Sequence, residues 1–251
     1  MSTTRRNLTF STLVLACLLL AGCATGVESR QRIHHSLIGA PDSKLPQRAV
    51  VIPVEITVKE MSAGGVTEKV DTWSKQASSN VENAIQSTLK QRGRLTVVPF
   101  PKLGTSDQTL VEQYRALYEQ VATAAFIYGR QWQHKNERFD YTMGDGLKFL
   151  KEKTGADVAV FTIGEDVVTT GGRQAAAFFA SLVGVGIQLG HSFLTMGVVS
   201  LETGDVLWYN YDVSYANLDM REPGDAKKMV ENVAEGYDTL REKTKVTQAK
   251  Q

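Results

Sequence analysis

The chain has 251 residues, with 28 Lys and Arg against 27 Asp and Glu, a formal net charge of +1, and 42% hydrophobic residues. A balance this near neutral lacks the basic excess of a nucleic-acid binder, so no nucleic-acid partner is expected. Beyond its first two dozen residues the chain suits one domain of ordinary size with its own core.

Residues 1–22 differ in composition from the rest. Arg5 and Arg6 form a positive start with no acidic residue before Glu28, and Leu13 to Leu20 is an apolar stretch that ends in the small residues Ala21 and Gly22. That is the layout of a signal peptide, too short and wrongly flanked for a spanning helix. The sequence Leu20-Ala21-Gly22-Cys23 resembles the lipobox of bacterial lipoproteins. The resemblance implies that a signal peptidase recognises Leu20, Ala21 and Gly22. It further implies that Cys23 takes a diacylglycerol on its sulfur and becomes the new N-terminus. Ala24, standing where an Asp would retain the protein, implies the outer membrane of a diderm cell and the periplasmic face. Thr4-Arg5-Arg6-Asn7-Leu8 also resembles a twin-arginine signal, but the Leu-rich core fits the general secretory route. Several acyl chains anchor stably where one is marginal.

Processing would remove Cys17 and leave Cys23 as the one cysteine, so no disulfide is expected although the compartment permits one. Loss of Arg5 and Arg6 takes the formal charge from +1 to −1. Residues 23–47 are polar and mixed and read as a lipidated N-terminus and tether, 48–243 as an α/β domain, and 244–251 as a polar tail.

Ala49 to Val54 is apolar on both faces, and Val54, Ile56 and Val58 then alternate with Glu55, Thr57 and Lys59. The pattern predicts one strand that begins inside a sheet and emerges at a half-exposed edge. Ala63-Gly64-Gly65 turns the chain into a short strand over 66–70. Asp71 or Thr72 can cap a helix whose apolar face is Trp73, Ala77, Val81, Ala84, Ile85 and Leu89, ended by Gly93. Leu95 to Val98 is a strand stopped by Pro99 and Pro101. Ser106-Asp107 opens a long helix with Leu110, Val111, Tyr114, Leu117, Tyr118, Val121, Ala125 and Phe126 along one side. A polar loop over 133–141 leads to a short helix, Leu147 to Lys153, capped by Gly155. Asp157 to Thr169 is apolar on both faces, which predicts a central strand. Phe193–Leu201 and Val206–Tyr215 form a hairpin around Glu202-Thr203-Gly204-Asp205, and a last helix from Asp225 buries Met229, Val230, Val233, Ala234, Tyr237 and Leu240. The order predicts an α/β fold with a mixed sheet packed by amphipathic helices.

Three stretches carry a further resemblance. They are Leu89-Lys90-Gln91-Arg92-Gly93-Arg94-Leu95 running into Val97-Val98-Pro99, Lys153-Thr154-Gly155-Ala156-Asp157-Val158-Ala159-Val160, and Val199-Ser200-Leu201-Glu202-Thr203-Gly204-Asp205-Val206-Leu207-Trp208. Together they resemble envelope lipoproteins with a fold like the N-terminal domain of TolB, a group that includes the curli secretion lipoprotein and the lipoprotein activators of penicillin-binding proteins. The likeness runs in element order from Ala49 to Leu240. It implies a non-enzymatic component of the cell envelope that binds, assembles or activates other envelope proteins. A shared fold does not by itself set a site, and each stretch has a structural use: Gly93 and Gly155 as helix caps, Thr203-Gly204 as a turn, Trp208 as a core or rim aromatic.

Fragments of catalytic sets are present but disordered in sequence. Ser87-Thr88-Leu89-Lys90 reads S-x-x-K, Ser78-Ser79-Asn80 reads S-x-N and Lys153-Thr154-Gly155 reads K-T-G, yet S-x-N precedes S-x-x-K on one helix, where a penicillin-binding site needs the reverse order. The four histidines, His34, His35, His134 and His191, stand apart from carboxylates at ligand spacing. No catalytic residue, metal or cofactor is expected. Glu165 and Asp166 read as a solvated strand end, or as the flank of a cleft.

The segment from Ala175 to Gly190 is 16 residues without a charge, with Ser181 and Gln188 its polar interruptions. That is short of the ~20 residues of a spanning helix. The first reading is a core element between two strands. The sharper one is a contact with the membrane or with further copies of the chain, carried by Phe178, Phe179, Leu182, Val183 and Ile187, with Gly186 and Gly190 spaced for close helix packing. Such a homo-oligomer could form a ring or export channel, although the run does not alternate as a barrel strand must.

Overall fold

A computed structural model of the protein describes residues 31–92, 95–127, 138–187, 189–215 and 218–238. The expected signal peptide, Cys23, Gly93, His134, Leu240 and the polar tail lie outside the described residues. The strands are β1 (Arg32–Ile33), β2 (Arg48–Val51), β3 (Glu55–Met61), β4 (Thr67–Lys69), β5 (Thr96–Val98), β6 (Val158–Thr169), β7 (His191–Ser200) and β8 (Val206–Tyr215). The helices are α1 (Asp71–Arg92), α2 (Thr105–Ile127), α3 (Lys148–Thr154), α4 (Gly171–Ser181) and α5 (Pro223–Asp238).

The strands make one mixed, unclosed sheet in the order β1-β8-β7-β6-β2-β5, with β3 beside the far half of β6 and β4 outside β3. β6 is central as its two apolar faces demand. It pairs in parallel with β2 and β3 on one side and antiparallel with β7 on the other. Helices α1 and α5 cover one face, where Val81, Ile85, Met229 and Val233 meet Val160, Met196 and Trp208. Helices α2 and α3 cover part of the other, where Val111, Tyr118 and Leu150 meet Phe161, Val199 and Tyr209. The three- and four-residue spacing of α1 is what puts Ala77, Val81, Ala84, Ile85 and Leu89 on one buried stripe.

Two expectations change. The strand read from Ala49 through Lys59 is two strands. Ile52 still donates its N–H to Val160 O at 3.0 Å, but Pro53 has no N–H to continue the ladder. Pairing resumes at Glu55 against Ile163, so one extra residue is spent between Val51↔Val160 and Glu55↔Ile163. That bulge lets Val51, Val54, Ile56 and Val58 all serve the α1 face. β3 is half-exposed as expected, with Ile56 and Val58 buried and Glu55 exposed, but its free edge is closed: Ser78 Oγ accepts from Ile56 N and Ser74 Oγ from Val58 N, both at 2.9 Å, so α1 satisfies donors that a sheet edge would leave free.

The tether is the second change. Its residues 31–47 lie on the domain: Arg32 and Ile33 pair with Tyr209 and Trp208, Leu37 and Ala40 are buried, and the fully buried Trp208 donates its Nε1–H to Gln31 Oε1 at 3.2 Å. Strand pairing uses main-chain groups, so a polar sequence can dock without an apolar pattern to announce it.

Two glycines fix close approaches. A Cβ on Gly197 in β7 would stand 2.5 Å from the Tyr118 ring, so its absence is what lets α2 lie against the sheet. Gly204, at φ +75° in the β7–β8 turn, lies against the Gly144 carbonyl, which a Cβ would meet at 2.0 Å.

Candidate functional site

The catalytic fragments dissolve into structure. Ser78 Oγ serves β3 and donates to Ser74 O, Asn80 Nδ2 donates to Arg221 O at 2.6 Å, and Ser87 Oγ donates to Ala84 O at 2.9 Å. Thr154 Oγ1 returns to Leu150 O, and Gly155 caps α3 at φ +65°. Asp157 does more than start a strand: its Oδ2 accepts from Gln47 N at 3.0 Å and Arg48 N at 2.9 Å, which fixes the start of β2 beside β6.

Glu165 and Asp166 stand inside β6, not at a solvated end, and alternation along the strand sends them to opposite faces. Asp166 is 1% exposed under the loop that enters α5, and accepts from Met220 N at 2.8 Å and from Ser192 Oγ at 2.9 Å. Burial raises its carboxyl above the ordinary range, against the pull of those two donors. Two carboxylates on opposite faces of a sheet cannot act together on one bond.

Glu165 belongs instead to a cleft of about 640 Å³ on the α2 face, where α2 leaves the far half of the sheet uncovered. Its floor is Thr57, Ile163, Glu165, His191, Phe193, Val213 and Tyr215, and its wall is the flank of α2 from Glu112 to Phe126. Phe126 closes one end, edge-on to Phe193 at 5.4 Å and to Tyr211 at 4.8 Å. Lys59 Nζ pairs with Glu165 at 2.6 Å and Arg115 with Glu55 at 2.9 Å. His191 Nε2 lies 3.7 Å from the other oxygen of Glu165. Glu112 and Glu119 point outward along the wall and add negative charge to it, with Tyr215 largely exposed at the rim. The sequence offered Glu165 and Asp166 as a cleft flank, and Glu165 is one; the rest of the lining was not legible because it comes from β3, α2, β6, β7 and β8.

The uncharged segment is not a core element. Helix α4 begins at Gly171, capped by Thr170, and ends at Ser181; Gly184 at φ +77° then turns the chain. No residue of α4 is buried. Phe178, Phe179, Leu182, Val183 and Val185 are 62%, 65%, 68%, 77% and 53% exposed, while Ile187 is half-buried at the base. Gly186 and Gly190 lie beyond the helix, so their spacing makes no helix-packing face; Gly190 instead sits against the Val167 carbonyl. The burial expected from composition fails because the segment folds onto neither sheet face: it projects beyond the Thr169 and His191 ends of β6 and β7 with its apolar side chains exposed.

Among the histidines, His34 is buried, with Nδ1 2.7 Å from Ser36 Oγ and its ring 4.3 Å from that of His35. Burial, and then His35, lower its pKa. Among the described residues no three His, Cys, Asp or Glu side chains are grouped to hold a metal, and no helix is long and apolar enough to cross a membrane.

No family model matches the chain, and no curated protein matches it. Among solved structures, the PelC dodecamer from Paraburkholderia phytofirmans aligns at 12% identity, over 82% of this chain and 92% of that one, with a TM-score of 0.35. The LpoB C-terminal domain from Salmonella enterica aligns at 11% identity over 69% of this chain and 87% of that one, with a TM-score of 0.26. At these scores neither likeness assigns an activity, a partner or an assembly to this chain.

Proposed function

We propose that the protein is a lipid-anchored component of the cell envelope, held by Cys23 at the periplasmic face of the outer membrane. There it works as a non-enzymatic binding, assembly or activating factor for other envelope proteins. The observation that carries the reading is the cleft beside α2. It is open, floored by a sheet and aromatic rings, and its carboxylates outnumber the cations that face them. An aromatic floor with an acidic wall complements a protein segment that brings basic and apolar side chains. Glu165 is tied to Lys59, and Asp166 is turned to the far face, so the two carboxylates share no site.

Crosslinking in intact envelopes, followed by purification of the anchored protein, tests this. Glu112→Lys with Glu119→Lys lies on the exposed flank of α2 and leaves the core untouched. It should lose the crosslinked partner while the fold and membrane attachment persist; the same partners at the same yield would reject the cleft. Cys23→Ser should release the domain to the soluble fraction.

The exposed apolar side chains of α4 favour a second reading, self-assembly into a ring or export channel through 175–190. It requires a discrete high-mass species in mild detergent that Phe178→Asp with Leu182→Asp abolishes.

A further inference from the structure

We propose that α4 and the turn after it form a second membrane contact, whose apolar tip enters the headgroup and acyl boundary of the leaflet that holds the lipid anchor. The inference rests on the reading of Cys23 as that anchor. It adds a statement about orientation: the end of the sheet that carries α4 faces the lipid.

The direction of the chain supplies the first argument. β1 runs antiparallel to β8, with Arg32 opposite Tyr209 and Ile33 opposite Trp208. Within β1 the step from Ile33 back to Arg32 points toward the Tyr215 end of β8. Tyr215 pairs with His191, the first residue of β7. Thr169, the last residue of β6, lies at the same end of the sheet. Those two residues are the roots of the α4 segment. Six residues separate Tyr209 from Tyr215, roughly 20 Å at ~3.4 Å per residue. Cys23 stands nine residues before Arg32, a reach of about 30 Å. A lipid on Cys23 is thus within reach of the end of the sheet that carries α4.

The chemistry of the tip is the second. No Asp, Glu, Lys or Arg occurs between Arg173 and His191, and Phe178 and Phe179 stand edge to face at 5.6 Å on the exposed surface. An 11-residue helix is about 16 Å long against a hydrocarbon core of ~30 Å. It can lie in the interface but cannot span it.

The third argument is area, and it separates lipid from a second copy. At about 150–200 Å² per large side chain, and with each of the five only 53% to 77% exposed, the accessible apolar area is on the order of 500–650 Å². A standard protein interface buries ~800 Å² on each side. The tip is too small to hold two copies together alone, and sufficient to orient a domain that acyl chains already tether.

The lipidated protein carries no free thiol after processing, so Val183→Cys and Ile38→Cys give single labelling sites. Ile38 is likewise exposed and lies beyond Ile33, toward the opposite end. Each is labelled with an environment-sensitive dye and reconstituted in phosphatidylethanolamine–phosphatidylglycerol vesicles with and without brominated acyl chains. The Val183 dye should shift to the blue and be quenched by the bromines, the Ile38 dye should do neither, and Phe178→Asp with Leu182→Asp should abolish both effects at Val183. A Val183 dye that stays in water on vesicles overturns the proposal. So does shielding that appears without lipid and grows with protein concentration, which would assign the tip to a second copy. The mass of the mature chain reads acylation of Cys23 separately, so failure of the anchor and failure of the tip cannot be confused.

Discussion

Replacing Asp166 separates two roles that a buried carboxylate can play. In Asp166→Ala the N–H of Met220, now 2.8 Å from Oδ2, is left without an acceptor inside the protein. Ser192 keeps a partner, because its hydroxyl also lies 2.8 Å from Leu218 O. One orphaned, buried N–H costs ~1–3 kcal/mol, which lowers Tm by roughly 4–8 °C for a 2 kcal/mol loss in a domain of this size. Asp166→Asn behaves differently. Its Oδ1 still accepts from Met220, its Nδ2 can donate to Ser192 Oγ, and that hydroxyl turns to Leu218. No charge has to be kept out of water, so the Asn variant should hold wild-type stability to within about 1 kcal/mol at neutral pH. Burial raises the folded-state pKa of Asp166 above its unfolded value. The folded state therefore binds the extra proton, and this group's contribution to stability falls as pH rises from the unfolded pKa to the folded one. The advantage of Asn over Asp should accordingly grow across that interval and level off above it. Denaturant unfolding of the Cys23→Ser protein, followed by far-UV circular dichroism over a pH series, measures all three chains. If Asn destabilises as much as Ala, the negative charge and not the acceptor holds the α5 loop, and the reasoning fails.

Gly197→Ala should cost ~1–3 kcal/mol by overpacking, since Tyr118 is fully buried and stacked on Phe161 at 5.1 Å; a second change, Tyr118→Leu, should recover part of the loss in the same unfolding assay. The exposed Glu202 is held down to a pKa of about 2, first by hydrogen bonds from Lys148 and Lys151. Its contribution is therefore present above the unfolded carboxylate pKa and lost as pH falls toward 2; the stability difference from Glu202→Gln should close over that window and shrink in high salt. Trp208→Phe removes the donor to Gln31, at about 0.5–1.5 kcal/mol, and the space left by the fully buried indole adds a further cost on the order of 1 kcal/mol. Amide exchange over 31–37 should then speed up more than exchange in β6.

Periodic residues made most of this fold legible. The stripe on α1, the doubly apolar β6, the β7–β8 hairpin and the buried face of α5 could all be read because each side chain's neighbours lie within its own element. What escaped depends on contacts between distant segments. Pro53 sits in an apolar run, and only the opposing β6 turns its missing N–H into a bulge. Asp157 looked like punctuation until Gln47 and Arg48 were brought to it. Of the cleft, Glu165 alone was legible, as one alternative; its other walls come from five elements whose residues share no spacing. Composition misled in both directions: a polar stretch at 31–47 docks through its backbone, while an uncharged stretch at 175–187 stays outside.

Those two errors bear on each other. A free tether over 23–47 would let the domain wander tens of ångströms from its lipids. With Arg32 and Ile33 paired into the sheet, the proposed leash is only the few residues before them, with a reach of about 30 Å. A domain held that close meets the lipid surface continually, at an effective concentration far above that of a free protein. Five exposed apolar side chains, a liability on a freely diffusing protein, then meet bilayer before they meet another protein. The short leash and the bare tip are thus mutually consistent parts of one orientation, in which the anchor and the tip both hold the domain close to the leaflet.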